Sequence, residues 1–315
     1  MRELTILDIA KMSGVSKSTV SRVLNNDSNV KEETRKKVLK VIEKNKFIPS
    51  TSARILRGKK TKTIGIVTTR LDSNSENEAI RGILRRCEQF DYSVVLVESL
   101  FSIEKTKRHV ENLLKRSVDG FIIFAIGNEK YDFMLKLNKP VVMIGQKVEG
   151  FNSIVYDNYE AIHKLCGYLW NQGKRNIGYI GIGDEDPTTG KERNNAYKDF
   201  ASSKGMKQII YIGNMNYSDG YKLAELCFNE NVDAIICATD TIALGTRKFL
   251  LENEIKDIFV AGVGNNKLVK FIFPEHLSIK LFYENSGIRA AEILERMIKG
   301  ENISETIVIH SELCL

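Results

Sequence analysis

The chain has 315 residues, 43% of them hydrophobic, and a net charge of +7 at pH 7. That length predicts about two domains, and the hydrophobic content is ample for a large core. The chain contains no run of about eighteen apolar residues and begins with a charged helix, so we expect no membrane span, no secretory signal and a cytoplasmic protein.

The positive charge is concentrated at the N-terminal end of the chain. Residues 1–60 contain fifteen Lys and Arg against six Asp and Glu, a net charge of +9, whereas the remaining 255 residues contain 32 against 34. A basic segment attached to a nearly neutral body is typical of a protein that binds nucleic acid phosphates through that segment.

The cysteines and histidines indicate neither a disulfide framework nor a metal site. The four histidines are dispersed, and the five cysteines show no CxxC spacing. We therefore expect reduced thiols, as in a cytosolic protein, and no cofactor. The cysteines are Cys87, Cys166, Cys227, Cys237 and Cys314.

Residues 4–50 predict three short helices with a shared apolar core. Gly14 is free to take the positive φ of a tight turn between the first two helices. Ser16 is placed to cap the second helix, residues 17–25, and residues 32–45 supply a third helix to cover the pair. The residues expected to face inward are Ile6, Ile9, Ala10, Val20, Val23, Leu24, Val38, Val41 and Ile42.

The second helix presents a polar face opposite its apolar stripe. Lys17, Ser18, Ser21 and Arg22 carry polar or basic side chains suited to base edges and phosphates. The alternative is an ordinary helical hairpin with a solvated polar face. The concentration of positive charge favours DNA binding over that alternative.

Residues 5–49, with residues 52–58 after them, resemble the LacI/GalR-type bacterial repressors, and the resemblance extends through the whole chain. It implies a helix–turn–helix head at residues 1–49, a hinge helix or linker at 50–60 and a two-lobed effector-binding and dimerisation domain at 61–315. It also implies a homodimer that binds double-stranded DNA at a pseudo-palindromic operator.

The resemblance assigns roles along the head and hinge. Lys17 and Ser18 stand where side chains of the recognition helix choose the bases, and Leu56 from each subunit would wedge into the minor groove. The alternative for Leu56 is an apolar linker residue packed on the core. The implied DNA contacts are Thr5, Ser16, Lys17, Ser18, Thr19, Ser21, Arg22, Asn25, Thr34, Ala53, Leu56 and Arg57, of which the threonines and Ser16 fix the register on phosphates.

After the head, short apolar runs alternate with helical patterns, in two successive series. The helical patterns of the first series are residues 78–90, 103–115 and 131–137. This alternation predicts parallel sheets covered on both faces, and two series predict two Rossmann-like lobes. The family resemblance likewise implies a body similar to periplasmic binding proteins. In parallel sheets of this kind ligands bind beyond the carboxyl ends of the strands, so the ligand cleft should lie between the lobes. The predicted strands are 63–68, 92–97, 120–124, 141–144, 177–180, 209–212, 234–237 and 259–262.

Polar residues directly after these strands are the candidate ligand contacts. Arg70, beside the start of a helix, suits a phosphate oxygen, and Asp72 and Glu76 suit sugar hydroxyls. Residues 184–193 again combine hydroxyls with a cation, and Asp240 either contacts the ligand or caps the helix after it. Their common location predicts a polyhydroxylated ligand.

Within the family, residues 69–77, 186–193 and 237–245 resemble the branch that regulates trehalose uptake and use, which implies trehalose 6-phosphate as inducer. Two positions depart from that branch: Gln146 replaces an arginine and Ala125 replaces a glycine, so a different sugar or sugar phosphate is the alternative. The implied effector contacts are Arg70, Leu71, Asp72, Ser73, Asn74, Ser75, Glu76, Ala125, Gln146, Asp186, Pro187, Thr188, Thr189, Arg193, Asp240 and Tyr283.

Two other classes of protein compete with a sugar-responsive repressor. A sugar-phosphate enzyme with a DNA-binding head would use Asp72 and Glu76 as an acid–base pair, but the sequence contains no GxxxxGK[ST], GxSxG or HExxH motif. An architectural DNA-binding protein would leave the polar cleft without a role. We therefore expect a repressor rather than an enzyme.

Overall fold

The computed structural model describes residues 4–24, 27–47 and 60–314 of the chain. Its internal contacts divide the chain into two compact units, Met1–Thr61 and Lys62–Leu315. Among the described residues, no helix is long and apolar enough to cross a membrane.

The described residues of the first unit form three helices, α1 (Ile6–Ser13), α2 (Lys17–Leu24) and α3 (Glu32–Lys44). Thr5 and Asp8 form a reciprocal capping box at the start of α1, and Gly14 ends that helix with a φ of 62°. The Ser16 hydroxyl accepts a hydrogen bond of 3.1 Å from the Thr19 amide at the start of α2. The core residues are Ile6, Ile9, Ala10, Val20, Val23, Val38 and Phe47, with Leu24, Val41 and Ile42 partly buried against them.

The second unit contains two six-stranded sheets. Its strands are β1 (Thr63–Thr68), β2 (Ser93–Glu98), β3 (Gly120–Phe124), β4 (Val141–Gly145), β5 (Asn152–Tyr156), β6 (Ile177–Ile182), β7 (Ile209–Gly213), β8 (Ala234–Cys237), β9 (Phe259–Val263), β10 (Leu277–Lys280), β11 (Thr306–Ile309) and β12 (Glu312–Cys314). The first sheet has the order β11-β5-β4-β3-β1-β2 and is parallel throughout. The second has the order β12-β10-β9-β8-β6-β7, and only β12 runs antiparallel.

Helices cover both sheets and define two lobes. They are α4 (Asn74–Gln89), α5 (Ile103–Lys115), α6 (Asp132–Leu135), α7 (Asn158–Asn171), α8 (Arg193–Ser203), α9 (Tyr217–Asn229), α10 (Asp240–Glu252), α11 (Lys267–Ile272) and α12 (Tyr283–Lys299), with a π-helical segment, Pro187–Glu192, leading into α8. Two parallel sheets with helical covers confirm the predicted α/β body of two Rossmann-like lobes, and the three-helix head confirms the predicted N-terminal unit.

The chain crosses between the two lobes three times. The chain passes from the first lobe to the second after β5, returns after β10, and crosses again between β11 and β12. The crossovers at 157 and 310–311 lie side by side, because the Asp157 amide donates to the Ile309 carbonyl and the Ser311 amide donates to Asp157 Oδ2 at 2.9 Å. Helix α12, although it comes late in the chain, therefore packs on the first sheet against α4.

The structure corrects several predicted elements. Helix α4 starts at Asn74, whereas the apolar pattern indicated residue 78, because the Ser73 side chain caps it by accepting from the Glu76 amide. The predicted helix at 131–137 is only the short α6. Strands β5, β11 and β12 were not predicted. Strands β11 and β12 are short edge strands, and β11 pairs with β5 across about 150 residues of sequence.

Candidate functional site

Helix α2 carries the polar face predicted to read DNA. Lys17, Ser18 and Arg22 are exposed, and Ser21 is half-buried. Arg22 lies 4.0 Å from Asp27, a weak ion pair that leaves its guanidinium accessible. The remaining predicted DNA contacts, Asn25, Ala53, Leu56 and Arg57, lie outside the described residues.

The predicted phosphate contacts lie at helix starts. The Thr5 hydroxyl donates to Asp8 at 2.6 Å, and Ser16 lies within 2.8 Å of the hydroxyls of both Ser18 and Thr19. Thr34 is half-buried on α3. The Thr5 hydroxyl hydrogen is committed to Asp8, so the groups at these helix starts that can donate to a phosphate are the N-terminal amides and the hydroxyls of Ser16, Ser18 and Thr19.

A cavity of about 130 Å³ lies between the two lobes of the second unit, at the carboxyl ends of the strands. Ten of the predicted effector contacts line it: Arg70, Ser73, Ser75, Glu76, Ala125, Asp186, Thr188, Thr189, Arg193 and Tyr283. The sequence rule that placed the ligand cleft between the lobes and the observed cavity therefore coincide.

The other predicted contacts lie beside this cavity. Asn74 and Asp240 line a neighbouring space of about 40 Å³ that shares Arg70 and Tyr283 with it. Gln146 and Pro187 line a larger adjoining cavity of about 630 Å³. Leu71 and Asp72 are exposed and line none of these three spaces.

Arg70 extends from the end of β1 toward the second lobe. Its Nη2 lies 3.2 Å from the Met215 sulfur, and its Nε lies 3.6 Å from Asp72 Oδ1. The Asp72 side chain is largely exposed, so this ion pair is screened by solvent. Arg70 therefore presents a cation to the cleft next to the N-terminus of α4, where the helix dipole also favours an anion.

Arg193 is a buried cation at the floor of the cleft, with an exposed fraction of only 3%. Its Nε and Nη2 donate to Asn158 Oδ1 at 2.9 and 2.6 Å, and its Nη1 donates to the Ala238 carbonyl. The Tyr283 hydroxyl also interacts with this guanidinium. Arg193 thus joins two elements of the second lobe to the first residue of α12, which belongs to the first lobe.

Glu76 is a half-buried carboxylate in the first turn of α4. It accepts hydrogen bonds from the hydroxyls of Thr68 and Thr69 and, at 2.8 Å, from the Thr69 amide. Burial raises the pKa of Glu76, and these donors offset part of that shift. The carboxylate is thereby held at the end of β1, facing the cavity.

Asp186 and Asp240 have their carboxylates committed within the second lobe. Asp186 accepts from the amides of Thr188 and Thr189 at 2.9 and 2.8 Å and so shapes the π-helical loop. Asp240, 3% exposed, accepts from the Ser278 hydroxyl at 2.9 Å and interacts with His276 Nε2 at 3.0 Å. The alternative that Asp240 caps its helix is wrong, because Thr239 is the N-cap.

Several residues that line the cleft were not predicted. Thr69, Phe101 and Thr239 each follow a strand closely, so the same rule that selected Arg70 identifies them in retrospect. Tyr156 and Asn158 were missed because they border β5, which was itself not predicted. The rings of Tyr156 and Tyr283 meet edge to face at 5.1 Å, and burial raises the pKa of both hydroxyls.

Gln146 contributes an amide where the resemblance expects a cation. Its Nε2 donates to the Gly127 carbonyl at 2.5 Å. The cavity beside it contains Lys130 and Lys147 but also four carboxylates, Glu129, Asp132, Glu149 and Glu192. This side of the cleft is therefore not electropositive. Among residues 4–24, 27–47 and 60–314, no group of three His, Cys, Asp or Glu side chains is arranged to hold a metal ion.

A helix–turn–helix head joined to a two-lobed, cleft-bearing body defines a ligand-responsive transcription regulator. Residues 5–50 match the model of bacterial regulatory proteins of the lacI family, and residues 166–314 match a periplasmic binding protein-like domain. The regulator TreR of Salmonella typhimurium is 38% identical over 310 residues, 98% of each chain. The chain belongs to the LacI family and is a DNA-binding transcriptional repressor.

Two solved structures are similar to the chain. The trehalose repressor from Escherichia coli has a TM-score of 0.78 and 32% identity, covering 80% of this chain and 99% of that one. The lac repressor dimer bound to operator has a TM-score of 0.88 and 24% identity, covering 99% of this chain and 98% of that one. The second likeness bears on the fold alone.

Proposed function

We propose that this protein represses genes of trehalose uptake and use, and that trehalose 6-phosphate bound in the interlobe cleft releases it from its operator. In this proposal residues 1–49 read DNA, residues 50–60 form the hinge, and residues 61–315 bind effector and dimerise. The observation that carries the proposal is the cleft itself, which combines one cation beside a helix N-terminus, Arg70, with carboxylates, hydroxyls and aromatic rings. The protein acts by binding, as a regulator in the cytoplasm, and not as an enzyme.

The effector phosphate is assigned to Arg70. The start of α4 places Ser73, Asn74 and Ser75 in the same small space as Arg70, so hydroxyls and amides surround the guanidinium. The side of the cleft near Gln146 is unsuitable for a dianion, because its acids outnumber its lysines. The phosphate would make one charge-assisted contact, with Arg70, because position 146 is a glutamine. We therefore expect the protein to bind the phosphorylated sugar only about tenfold more tightly than the unphosphorylated sugar, or less.

Sugar hydroxyls are assigned to the buried polar groups around the cavity. Glu76 has a carboxylate that accepts from hydroxyl donors, while Arg193 and the Tyr283 hydroxyl donate. Thr188 and Thr189 border the opposite side on the π-helical loop. Asp240 acts indirectly in this scheme, since its carboxylate holds the Asn266 amide at 2.6 Å and Ser278 at 2.9 Å.

A homodimer is part of the proposal, and an exposed apolar patch on the second lobe supports it. Phe271 of α11 is 83% exposed, and four other exposed apolar side chains of α9, α10 and α11 line one common groove. An apolar patch of this kind marks an interaction surface in a protein that is otherwise covered by polar groups. The other members of the patch are Tyr217, Leu251, Leu268 and Ile272.

The proposed mechanism links two sites. Effector bound to both lobes favours one arrangement of the lobes, and this arrangement changes the dimer so that the heads lose operator spacing. A coupling of about 1–3 kcal/mol is enough for a useful switch, and the operator must then weaken effector binding by the same factor.

A second candidate is the same repressor with a different sugar or sugar phosphate as effector. The uncharged Gln146 favours it, because a neutral hydrogen bond in place of a charge-assisted one costs on the order of 1 kcal/mol.

Calorimetric titration of the purified protein with trehalose 6-phosphate, trehalose and sucrose 6-phosphate distinguishes these candidates. We expect micromolar binding of trehalose 6-phosphate, with Arg70→Ala removing the advantage of the phosphate and leaving DNA binding intact. Gln146→Arg is the complementary variant and should increase that advantage. Tighter binding of sucrose 6-phosphate would reassign the effector, and no response of operator binding to any sugar would contradict the proposal.

A further inference from the structure

The loop after β2 holds an aromatic ring in an unfavourable position. Leu100 and Phe101 are consecutive non-glycine residues with φ of 53° and 57°, in the left-handed region that side chains disfavour. Both side chains are also exposed, by 53% and 55%. The left-handed backbone and the exposure of an aromatic ring to water each raise the free energy of the folded protein. Backbone strain of this kind concentrates at ligand-binding sites.

The surrounding structure enforces this conformation. The Ser99 and Leu100 amides donate to the Thr68 and Thr69 carbonyls at 2.9 and 2.8 Å, which fixes the loop to the end of β1. On the other side, the Ser102 hydroxyl accepts from the Lys105 amide and caps α5. Phe101 therefore lies between two segments that hydrogen bonds hold in place, and the fixed backbone determines the direction in which its side chain leaves the chain.

The ring lies at the effector cavity. Phe101 lines the same space as Arg70, Glu76 and Tyr283, whereas its neighbour Leu100 does not line it. The cavity is otherwise rich in groups that bind hydroxyls, and a pyranose ring also has an apolar face of C–H bonds that needs an apolar partner. Ligand sites commonly combine such apolar surfaces with a few polar groups.

We infer that Phe101 is a ligand-binding residue that covers the apolar face of a pyranose ring of the effector. The inference rests on the proposed function in that the ligand is a sugar, but it does not depend on which sugar or on the phosphate. Phe101 recognises the carbohydrate ring, and Arg70 recognises the anion, so the two residues act on separable parts of the ligand.

The test compares Phe101→Ala with Leu100→Ala in the full-length protein, titrated with trehalose and trehalose 6-phosphate. Burying a phenyl group on binding predicts that Phe101→Ala weakens both ligands by the same factor, about ten- to hundredfold. Leu100→Ala, which alters the same strained loop outside the cavity, should stay within about twofold of wild type. Phe101→Trp should retain affinity and give a fluorescence change on binding, while Arg70→Ala should weaken the phosphorylated ligand selectively.

The outcomes separate the inference from the proposed function. If wild type binds either disaccharide and Phe101→Ala binds equally well, the inference is wrong while the proposed function stands. If wild type prefers another sugar, trehalose 6-phosphate is wrong as effector, and the same pair of variants titrated with that sugar decides the role of Phe101. Binding of no sugar by wild type would overturn both. Unchanged thermal unfolding of both variants excludes misfolding as the cause of lost affinity.

Discussion

Two helices that border the cleft are packed backbone to backbone through glycine, and an added methyl group there should disturb both stability and binding. A Cβ placed on Gly287 of α12 would lie 1.8 Å from the Ala79 carbonyl oxygen of α4, and one on Gly82 of α4 would lie 2.1 Å from the Glu284 carbonyl oxygen. Real Cβ atoms essentially never come closer than 3.0 Å to another heavy atom. Because the obstructing atoms belong to the backbone, no side-chain rotation relieves the clash.

The expected cost follows from this geometry. Gly287→Ala requires the helices to separate by more than 1 Å, and overpacking of this kind costs about 1–3 kcal/mol or more. For a unit of this size each kcal/mol lowers Tm by about 2–4 °C, so we expect a decrease of about 2–12 °C. Helices α4 and α12 begin beside the cleft, at Asn74 and Tyr283. Their displacement should therefore also lower the affinity for effector by about tenfold.

Gly167→Ala provides the matched control. Gly167 lies within α7, and a Cβ there meets nothing within 4 Å. The same substitution should therefore stabilise the protein by about 0.5–1 kcal/mol through helix propensity alone. Thermal unfolding and effector titration of both variants are the assays. If Gly287→Ala unfolds at the wild-type temperature and binds effector normally, α4 and α12 do not approach each other as closely as this contact requires.

Three further changes test other parts of the molecule. Lys17→Ala should relax base choice in operator-binding assays. Leu56→Ala should lower DNA affinity and DNA bending with little change in half-site preference. If Lys17→Ala lowers affinity equally for all DNA sequences, Lys17 does not choose bases. Burial raises the pKa of Glu76 in the free protein, and hydroxyl donors favour its charged form, so affinity for unphosphorylated trehalose should rise as pH increases above 4.5 through that raised pKa. Glu76→Gln should flatten this pH profile, and a persistent slope in that variant would assign the titration elsewhere. Asp240→Ala leaves buried His276 and Ser278 without their acceptor and should lower the free energy of unfolding by about 3 kcal/mol, measured by urea denaturation; a loss below about 1 kcal/mol would contradict a structural role.

The sequence predicted the elements whose signals are local. Continuous apolar runs such as 120–124 and 234–237 coincide with the buried strands β3 and β8, because a central parallel strand is covered on both faces. Strand β11 has alternating exposure at the sheet edge, so its sequence resembles a loop. The return of α12 to the first lobe depends on contacts far apart in the chain, which no local pattern encodes.

The residues of the candidate site likewise fall into those that a local sequence signal predicts and those that only the structure shows. Charged and hydroxyl side chains at strand ends were identified because polar groups in such positions suit ligand chemistry. Phe101 was missed because an apolar residue in a loop gives no polar signal, and its strained backbone is visible only in three dimensions. Asp240 satisfies the sequence rule, yet its carboxylate is occupied by Ser278, His276 and a backbone amide. Sequence position therefore predicts which residues border the cleft, but not which of their polar groups already accept hydrogen bonds within the protein.

In the proposed mechanism, the crossovers between the lobes are the segments on which the ligand acts. Each lobe is a close-packed layer structure that resists internal deformation, so relative movement of the lobes is concentrated in the crossovers. Two cleft residues flank the crossover at Asp157, namely Tyr156 and Asn158, and Tyr283 directly follows Phe282, a crossover residue with a φ of 50°. A ligand held by these side chains acts directly on the segments that set the angle between the lobes. In the proposed mechanism, the affinity difference between the two lobe arrangements would thus be created at these crossovers, and it would limit how far effector can shift the equilibrium between operator-bound and free repressor.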